Sequence, residues 1–226
     1  MPTIAIVGAG PGLGLSIAKV FGRHGFDVAL VSRSQDTLDG LVATLADEGI
    51  AAGGFTADVL DRPSLVTAFQ QVVARFGPVD VLEYSPAPHS PVPGVEMASV
   101  LDVSPENLQP QIDYYLYGAV TAAQQVLPSM IEARSGTLLF TTGGGSVSPI
   151  PPMGNVNAAA AALRNWAINL HGAAAEHDVY AAHIAISAWI GSGAPEAEAD
   201  AIALTYWQAY TARTEPEYHY VAPPPA

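Results

Sequence analysis

Cysteine is absent from this 226-residue chain, and lysine occurs once, at Lys19. The first absence excludes disulfides, thiolate nucleophiles and zinc–thiolate centres, and no metal site is expected. Charge is scarce as well: 13% of residues are charged, and 8 Lys and Arg face 21 Asp and Glu, a formal net charge of -13. Such a surface repels phosphate backbones and anionic lipid, so nucleic acid and membrane are excluded as partners. No apolar run reaches the ~18 residues needed to span a bilayer; the alanine-rich stretch is cut by Arg164, Asn165, Asn169 and His171. The first residues lack a basic flank and are broken by glycine and proline, unlike a signal peptide. A soluble, cytoplasmic protein acting on a small molecule is the expectation.

Half of the residues are hydrophobic, and the 21 Gly and 19 Pro fall in short clusters, a globular composition. Thr3 to Val7 is apolar and ends in Gly8-Ala9-Gly10-Pro11-Gly12-Leu13-Gly14, after which Ser16 to His24 has helical spacing. The alternation continues through strands at Val28–Val31, Gly54–Ala57 and Val79–Leu82 and helices at Asp36–Glu48 and Pro63–Phe76. A long helix is predicted over Pro105 to Ala133, its apolar stripe running through Ile112, Tyr115, Leu116, Ala119, Ala123, Val126 and Met130. Strand Thr137–Thr141, helix Val156–Glu176, strand Val179–Ile186 and helix Ala199–Ala212 follow, with an edge strand at Glu217–Val221. Strands alternating with helices imply a parallel sheet covered on both faces. One domain over 1–226 is expected, with a short substrate-side helix at about 195–213 and a tail that frays over 222–226.

Glycines at a strand-to-helix turn let the backbone approach a pyrophosphate, which the helix N-terminus then attracts. A tight turn without a ligand is the alternative. The spacing of Gly8, Gly12 and Gly14 resembles that of the short-chain dehydrogenase/reductase family, and the resemblance covers nearly the whole chain. It implies an α/β fold with a Rossmann-like doubly wound parallel sheet of about seven strands. Asp58-Val59 resembles the family's adenine-contacting pair, Asp80-Val81-Leu82 its fourth strand, and Ile190 with Ser192 the loop that holds the nicotinamide amide. The implied cofactor site comprises Gly8, Gly10, Gly12, Leu13, Gly14, Ser32, Arg33, Asp58, Val59, Ser85, Ile190 and Ser192. An arginine after the second strand suits a 2′-phosphate better than a bare ribose, so Arg33 favours NADP(H) over NAD(H), although Arg33 also reads as a surface arginine.

The resemblance further implies a tyrosine acid/base, a lysine four residues later, a serine about thirteen residues before the tyrosine and an asparagine on the preceding long helix. Alignment through Ala161-Ala162-Leu163 puts Val156 at the tyrosine, Ala160 at the lysine, Gly143 at the serine and Tyr115 at the asparagine. Shifting by one gives Asn155 with Ala159, or Asn157 with Ala161, and no register restores the pair. The fourth-strand Asn-Asn-Ala-Gly is replaced by Tyr84-Ser85-Pro86-Ala87, and the Pro-Gly after the sixth strand by Ser187-Ala188. Tyr84, His89 and Tyr115 are the remaining candidates for moving a proton; core packing for Tyr115 and loop exposure for His89 are the competing readings. Asp113 and Tyr114 are expected to face a partner helix or water. Trp189, Tyr206, Trp207 and Tyr210 either line a substrate pocket or pack the last helix.

Three functions stay open on these residues: an oxidoreductase with unusual proton handling, a catalytically silent cofactor-binding subunit, and a non-redox enzyme on the same scaffold. A homo-dimer or homo-tetramer is expected through the two long helices, because Ala158 to Ala162 permits close approach.

Overall fold

The structure, a computed structural model, describes residues 1–87, 92 and 94–223. Its strands are β1 (Thr3–Val7), β2 (Asp27–Ser32), β3 (Ala52–Thr56), β4 (Val81–Tyr84), β5 (Gly136–Gly143), β6 (Val179–Ser187) and β7 (Glu217–Val221). They form one parallel sheet in the order β3-β2-β1-β4-β5-β6-β7. The chain reverses direction along the sheet between β1 and β4, which opens a crevice at their carboxyl ends. Central strands such as β1 are buried along their whole length, as a sheet covered on both faces requires.

On one face lie α1 (Leu13–Arg23), α2 (Gln35–Asp47) and α7 (Ala199–Ala212), packing Ile17, Phe21, Leu38, Leu45, Ile202 and Tyr206 over Ile4, Ile6 and Leu30. On the other lie α3 (Arg62–Phe76), α5 (Gly118–Ala133) and α6 (Gly154–Ala175), packing Leu65, Phe69, Val126, Met130 and Leu163 over Val7, Leu82 and Phe140. Local chemistry sets the helix starts. Ser34 and Asp61 accept from the N–H groups of Thr37 and Ser64, and Ser104 with Asn107 forms a reciprocal capping box at α4 (Pro105–Ile112), each satisfying donors that a helix start leaves open.

The predicted helix over 105–133 is instead two helices, α4 and α5, joined by a π turn at Asp113–Tyr117 in which the Gly118 N–H bonds to the Asp113 carbonyl. A π turn inserts one residue and displaces the apolar stripe. Tyr114, expected to face a partner helix or water, is therefore buried in the core of the chain itself, while Tyr115 and Leu116 are only partly covered. The wider turn leaves the Tyr114 carbonyl to accept the Tyr84 hydroxyl at 2.7 Å. Gly118 makes room for this bond, since a Cβ there would collide with that hydroxyl.

The helix expected on the substrate side packs mainly on α1, with Trp207 and Tyr210 edge-on to Phe21 and Trp207 stacked on His24; Tyr206 is core. Ala222, expected to fray, is buried and bonds the Ser187 carbonyl through its N–H; 224–226 lie outside the described residues. No described helix is long and apolar enough to cross a membrane.

Tyr84→Phe removes the donor to a buried carbonyl and should cost about 1–3 kcal/mol, seen as a lower urea midpoint with an unchanged slope. Stability equal to wild type would show that the carbonyl finds another partner.

Candidate functional site

Three adjoining hollows run along the carboxyl edge of the sheet. The first, about 450 Å³, lies between the glycine turn and the ends of β2 and β3, and is lined by Gly8, Gly10, Ser32, Arg33, Thr37, Ala57, Val59 and Tyr114. Arg33 is exposed there and forms no ion pair among the described residues. Asp58 is not on this wall; its carboxylate accepts from the Leu60 N–H at 3.0 Å and shapes the entry to α3.

The second hollow, about 570 Å³, shares Gly8 and Gly10 with the first and adds Gly12, Leu13, Gly14, Ser85, Tyr115, Thr141, Gly143, Ile190 and Glu198. Gly8 sits at φ +95°, and a Cβ on it would lie 2.5 Å from Pro86 Cα, so the turn and the end of β4 meet backbone to backbone. By contrast, a Cβ on Gly12 would meet nothing within 4 Å. Gly12 caps α1 without a side chain, so no cap side chain engages the N–H groups that a helix start leaves open. Ser192 stands in the same loop as Ile190 but off this wall.

The third hollow, about 560 Å³, is mostly apolar and is lined by Tyr115, Gly143, Ile150, Met153, Val156, Asn157, Ala160, Ile186, Ala188 and Trp189. Val156 and Ala160 stand one helical turn apart on its wall. Asn155, one register earlier, is fully buried and ties α6 to the Glu96 and Asn107 carbonyls and the Ala98 N–H. Asn157 donates to the Ile150 carbonyl. Gly143, Val156, Ala160 and Tyr115, the positions singled out by alignment, thus border one space.

The three sequence candidates for moving a proton separate clearly. Tyr84 is fully buried and its hydroxyl is committed to Tyr114; burial, then the neighbouring Tyr114, pushes its pKa far up, so it does not serve the cleft. His89 lies outside the described residues. Of the two described candidates, Tyr115 is the one that borders the second and the third hollow, with its phenol also held neutral by burial.

A polar chain missed in the sequence runs beneath this space. Thr142 Oγ1 pairs with Ser146 Oγ at 2.7 Å and with His183 Nε2 at 2.8 Å, while His183 Nδ1 donates to Glu217 Oε1 at 2.9 Å. Arg164 closes the chain on Glu217 through Nε and through Nη2 at 2.8 Å. Arg164, and then His183, keep Glu217 below the usual carboxylate range, which assigns the imidazole Nδ1 as the donor. The residues come from β5, β6, β7, α6 and the turn after β5, so no local spacing could have revealed them.

The family model described as short chain dehydrogenase matches residues 2–190, and the chain belongs to that family. It is 28% identical to the peroxisomal 2,4-dienoyl-CoA reductase of Arabidopsis thaliana over 63% of this chain and 45% of the relative. It is 31% identical to dehydrogenase/reductase SDR family member 4 of Bos taurus over 74% of this chain and 58% of the relative. The chain thus spans about half the length of these curated relatives. Among solved structures, actinorhodin polyketide ketoreductase with NADPH superposes with a TM-score of 0.84 at 19% identity, over 97% of this chain and 95% of that one. L-Sorbose reductase from Gluconobacter frateurii, complexed with NADPH and L-sorbose, gives 0.81 at 18%, with the same coverage of the two chains. At this identity the likeness confirms the doubly wound fold.

Burial lowers the His183 pKa from 6.5 to about 4, against the opposing pull of Glu217. Unfolding restores the ordinary value, so between these pH values the unfolded chain takes up a proton that the folded one refuses. Stability falls as pH drops through that window, by about 3 kcal/mol. The stability gap between wild type and His183→Gln should narrow by that amount from pH 7 to pH 4; a gap independent of pH would mean that the imidazole titrates normally.

Proposed function

We propose that the protein is an NADP(H)-binding oxidoreductase in which the family's usual acid/base set is missing. Ordinary carbonyl reduction is then weak or absent, and hydride transfer goes to an acceptor that is already activated, such as a quinone or an iminium ion. The observation that carries this reading is the continuous run from Arg33, past the glycine turn, to a mostly apolar space in which Val156 and Ala160 occupy the aligned tyrosine and lysine positions.

The residues present fit the cofactor. The open space at Gly12 and the side-chain-free start of α1 suit a pyrophosphate. Ser32, Arg33 and Thr37 would hold the ribose and 2′-phosphate, Val59 would border the adenine, and Ser85, Thr141 and Ile190 would border the nicotinamide. NADPH in the two superposed relatives is in keeping with this. The bound cofactor would supply a hydride; the chain supplies position and exclusion of water.

Magnitudes favour turnover without the tyrosine. General acid catalysis contributes roughly 10² to 10⁴ in rate, about 3–5 kcal/mol, whereas positioning contributes about 7–11 kcal/mol. Val156 and Ala160 also support a second reading, a silent cofactor binder, since neither can donate a proton or lower a neighbour's pKa.

A homo-dimer or homo-tetramer through the outer faces of α5 and α6 belongs to the same proposal. Ala162 is only partly covered within one chain and Ala159 is fully buried, so Ala162→Glu is the informative change. Small-angle scattering should give at least a dimer for wild type and a smaller particle for the variant; an unchanged mass would place the contact elsewhere.

Arg33→Ala should weaken NADPH by ~10- to 150-fold, corresponding to about 1.5–3 kcal/mol for a charge-assisted contact, and leave NADH nearly unchanged. Nicotinamide fluorescence titration reads both; equal losses would remove the preference for NADP(H). Across a panel of ketones, imines and quinones, NADPH oxidation should be confined to activated acceptors. A simple ketone turned over near ~10 per second would reveal an acid in the cleft, and no oxidation of bound NADPH by any acceptor would favour the silent binder.

A further inference from the structure

Glu83 is the third residue of β4, fully enclosed in the middle of the sheet. Its lateral neighbours in register are Ile6 on β1 and Leu139 on β5. No described Lys, Arg or His is paired with it. Among the described residues its carboxyl group meets only hydroxyls: Ser85 Oγ at 2.9 Å from Oε2 and Thr141 Oγ1 at 3.0 Å from Oε1. Both partners line the second hollow, where the nicotinamide is placed above, whereas Glu83 lies behind that wall. Of the titratable groups on the elements packed around it, Tyr206 of α7 meets Thr141 at 2.7 Å and is itself held neutral by burial. Asp200 of α7 accepts from Ser16 of α1 at 2.6 Å, and Glu198 opens onto the hollow.

A carboxylate buried without a cation is costly. Burial outweighs the two hydroxyl bonds and pushes the Glu83 pKa up to about 8, so near neutrality the group is the neutral acid. Its proton then needs an acceptor, and among the described residues the Ser85 and Thr141 oxygens are the ones within hydrogen-bond distance. When Glu83 donates to Ser85 Oγ, the Ser85 proton is released from its bond to the carboxylate and can turn into the hollow.

We propose that Glu83 is a buried proton reservoir for the nicotinamide end of the cleft, exchanging its proton with the hollow through the Ser85 hydroxyl. The step is a relay. The Glu83 O–H bond breaks as a new O–H bond forms on Ser85 Oγ, and the proton that Ser85 held passes to an oxygen or nitrogen in the hollow. One proton moves and no electrons do. The charge of the bound cofactor sets the direction: an oxidised nicotinamide ring carries a positive charge that the reduced ring lacks, and a nearby positive charge favours the carboxylate. Glu83 therefore stays protonated with NADPH bound and releases its proton with NADP+ bound, at the stage when an acceptor such as a quinone has gained a hydride and its oxyanion needs a proton.

The inference rests on the cofactor reading, and the test separates the two. Proton release is measured in weakly buffered solution at pH 7 as NADP+ or NADPH is added to the full chain, alongside infrared difference spectra of the protonated-carboxyl band. The 2′-phosphate contribution is common to both cofactors and cancels. Wild type should release about one proton per site with NADP+ and none with NADPH, losing the band only in the first case. Glu83→Gln should bind both cofactors with less than about a twofold change and show neither signal, and Ser85→Ala should slow the release. Binding without a difference in release, or a release that survives in Glu83→Gln, overturns the reservoir alone. Failure of both cofactors to bind by fluorescence overturns the cofactor reading and the reservoir with it. In the free protein, absence of the protonated-carboxyl band at pH 6 overturns the reservoir whatever the variant does.

Discussion

The backbone of Gly8 runs against that of Ser85 and Pro86 so closely that no Cβ fits between them. This contact joins the ends of β1 and β4, the two strands between which the chain reverses its course across the sheet. It holds the glycine turn down on the sheet edge, so the start of α1 faces open space at Gly12. It also sets Ser85 at the boundary between the buried Glu83 and the cleft. Any side chain at position 8 would have to part the two strands, and a left-handed φ adds its own cost there.

A second constraint acts from the opposite face. The π turn between α4 and α5 breaks the helical period, and Tyr84 accommodates the break by donating to the Tyr114 carbonyl where Gly118 leaves room. One consequence is a buried Tyr114 bordering the first hollow; the other is Tyr115 on the boundary of the second and third. A helix of unbroken period would have carried these rings to other positions. The segment that departs from regular geometry is therefore the one that supplies the phenol of the cleft.

Around the cleft, polar groups are arranged with few charges. The chain from Thr142 through His183 to Glu217 and Arg164 ties β5, β6, β7 and α6 together, with the ion pair near the surface and the neutral imidazole inside. On the other face of β5, Thr141 connects Glu83 to Tyr206. Adjacent residues of one strand point to opposite faces, so Thr141 and Thr142 anchor two separate networks at the same edge of the cleft. One network favours a neutral base and the other a neutral acid, for the same reason: burial penalises the charged form of each.

Much of the fold was legible in the sequence, because strand and helix periods and helix-capping residues act over a few positions. The alternation of apolar runs with amphipathic segments identified the elements that became β1 to β7, and Gly8 to Gly14 marked the turn at the sheet edge. The absence of tyrosine and lysine around Val156 and Ala160 was equally a matter of sequence. Tertiary structure alone decided that Tyr84 is a core donor, that Tyr114 is buried and that the Asp58 carboxylate accepts from the Leu60 N–H. It also decided that Glu83, at a strand position that reads as ordinary core, stands behind two hydroxyls of the cleft, and that His183 meets Glu217 from 34 residues away. Periodicity reports which face of an element a residue occupies. What that face meets depends on strand order, on the π turn and on contacts between distant segments, and these exist only once the sheet has assembled.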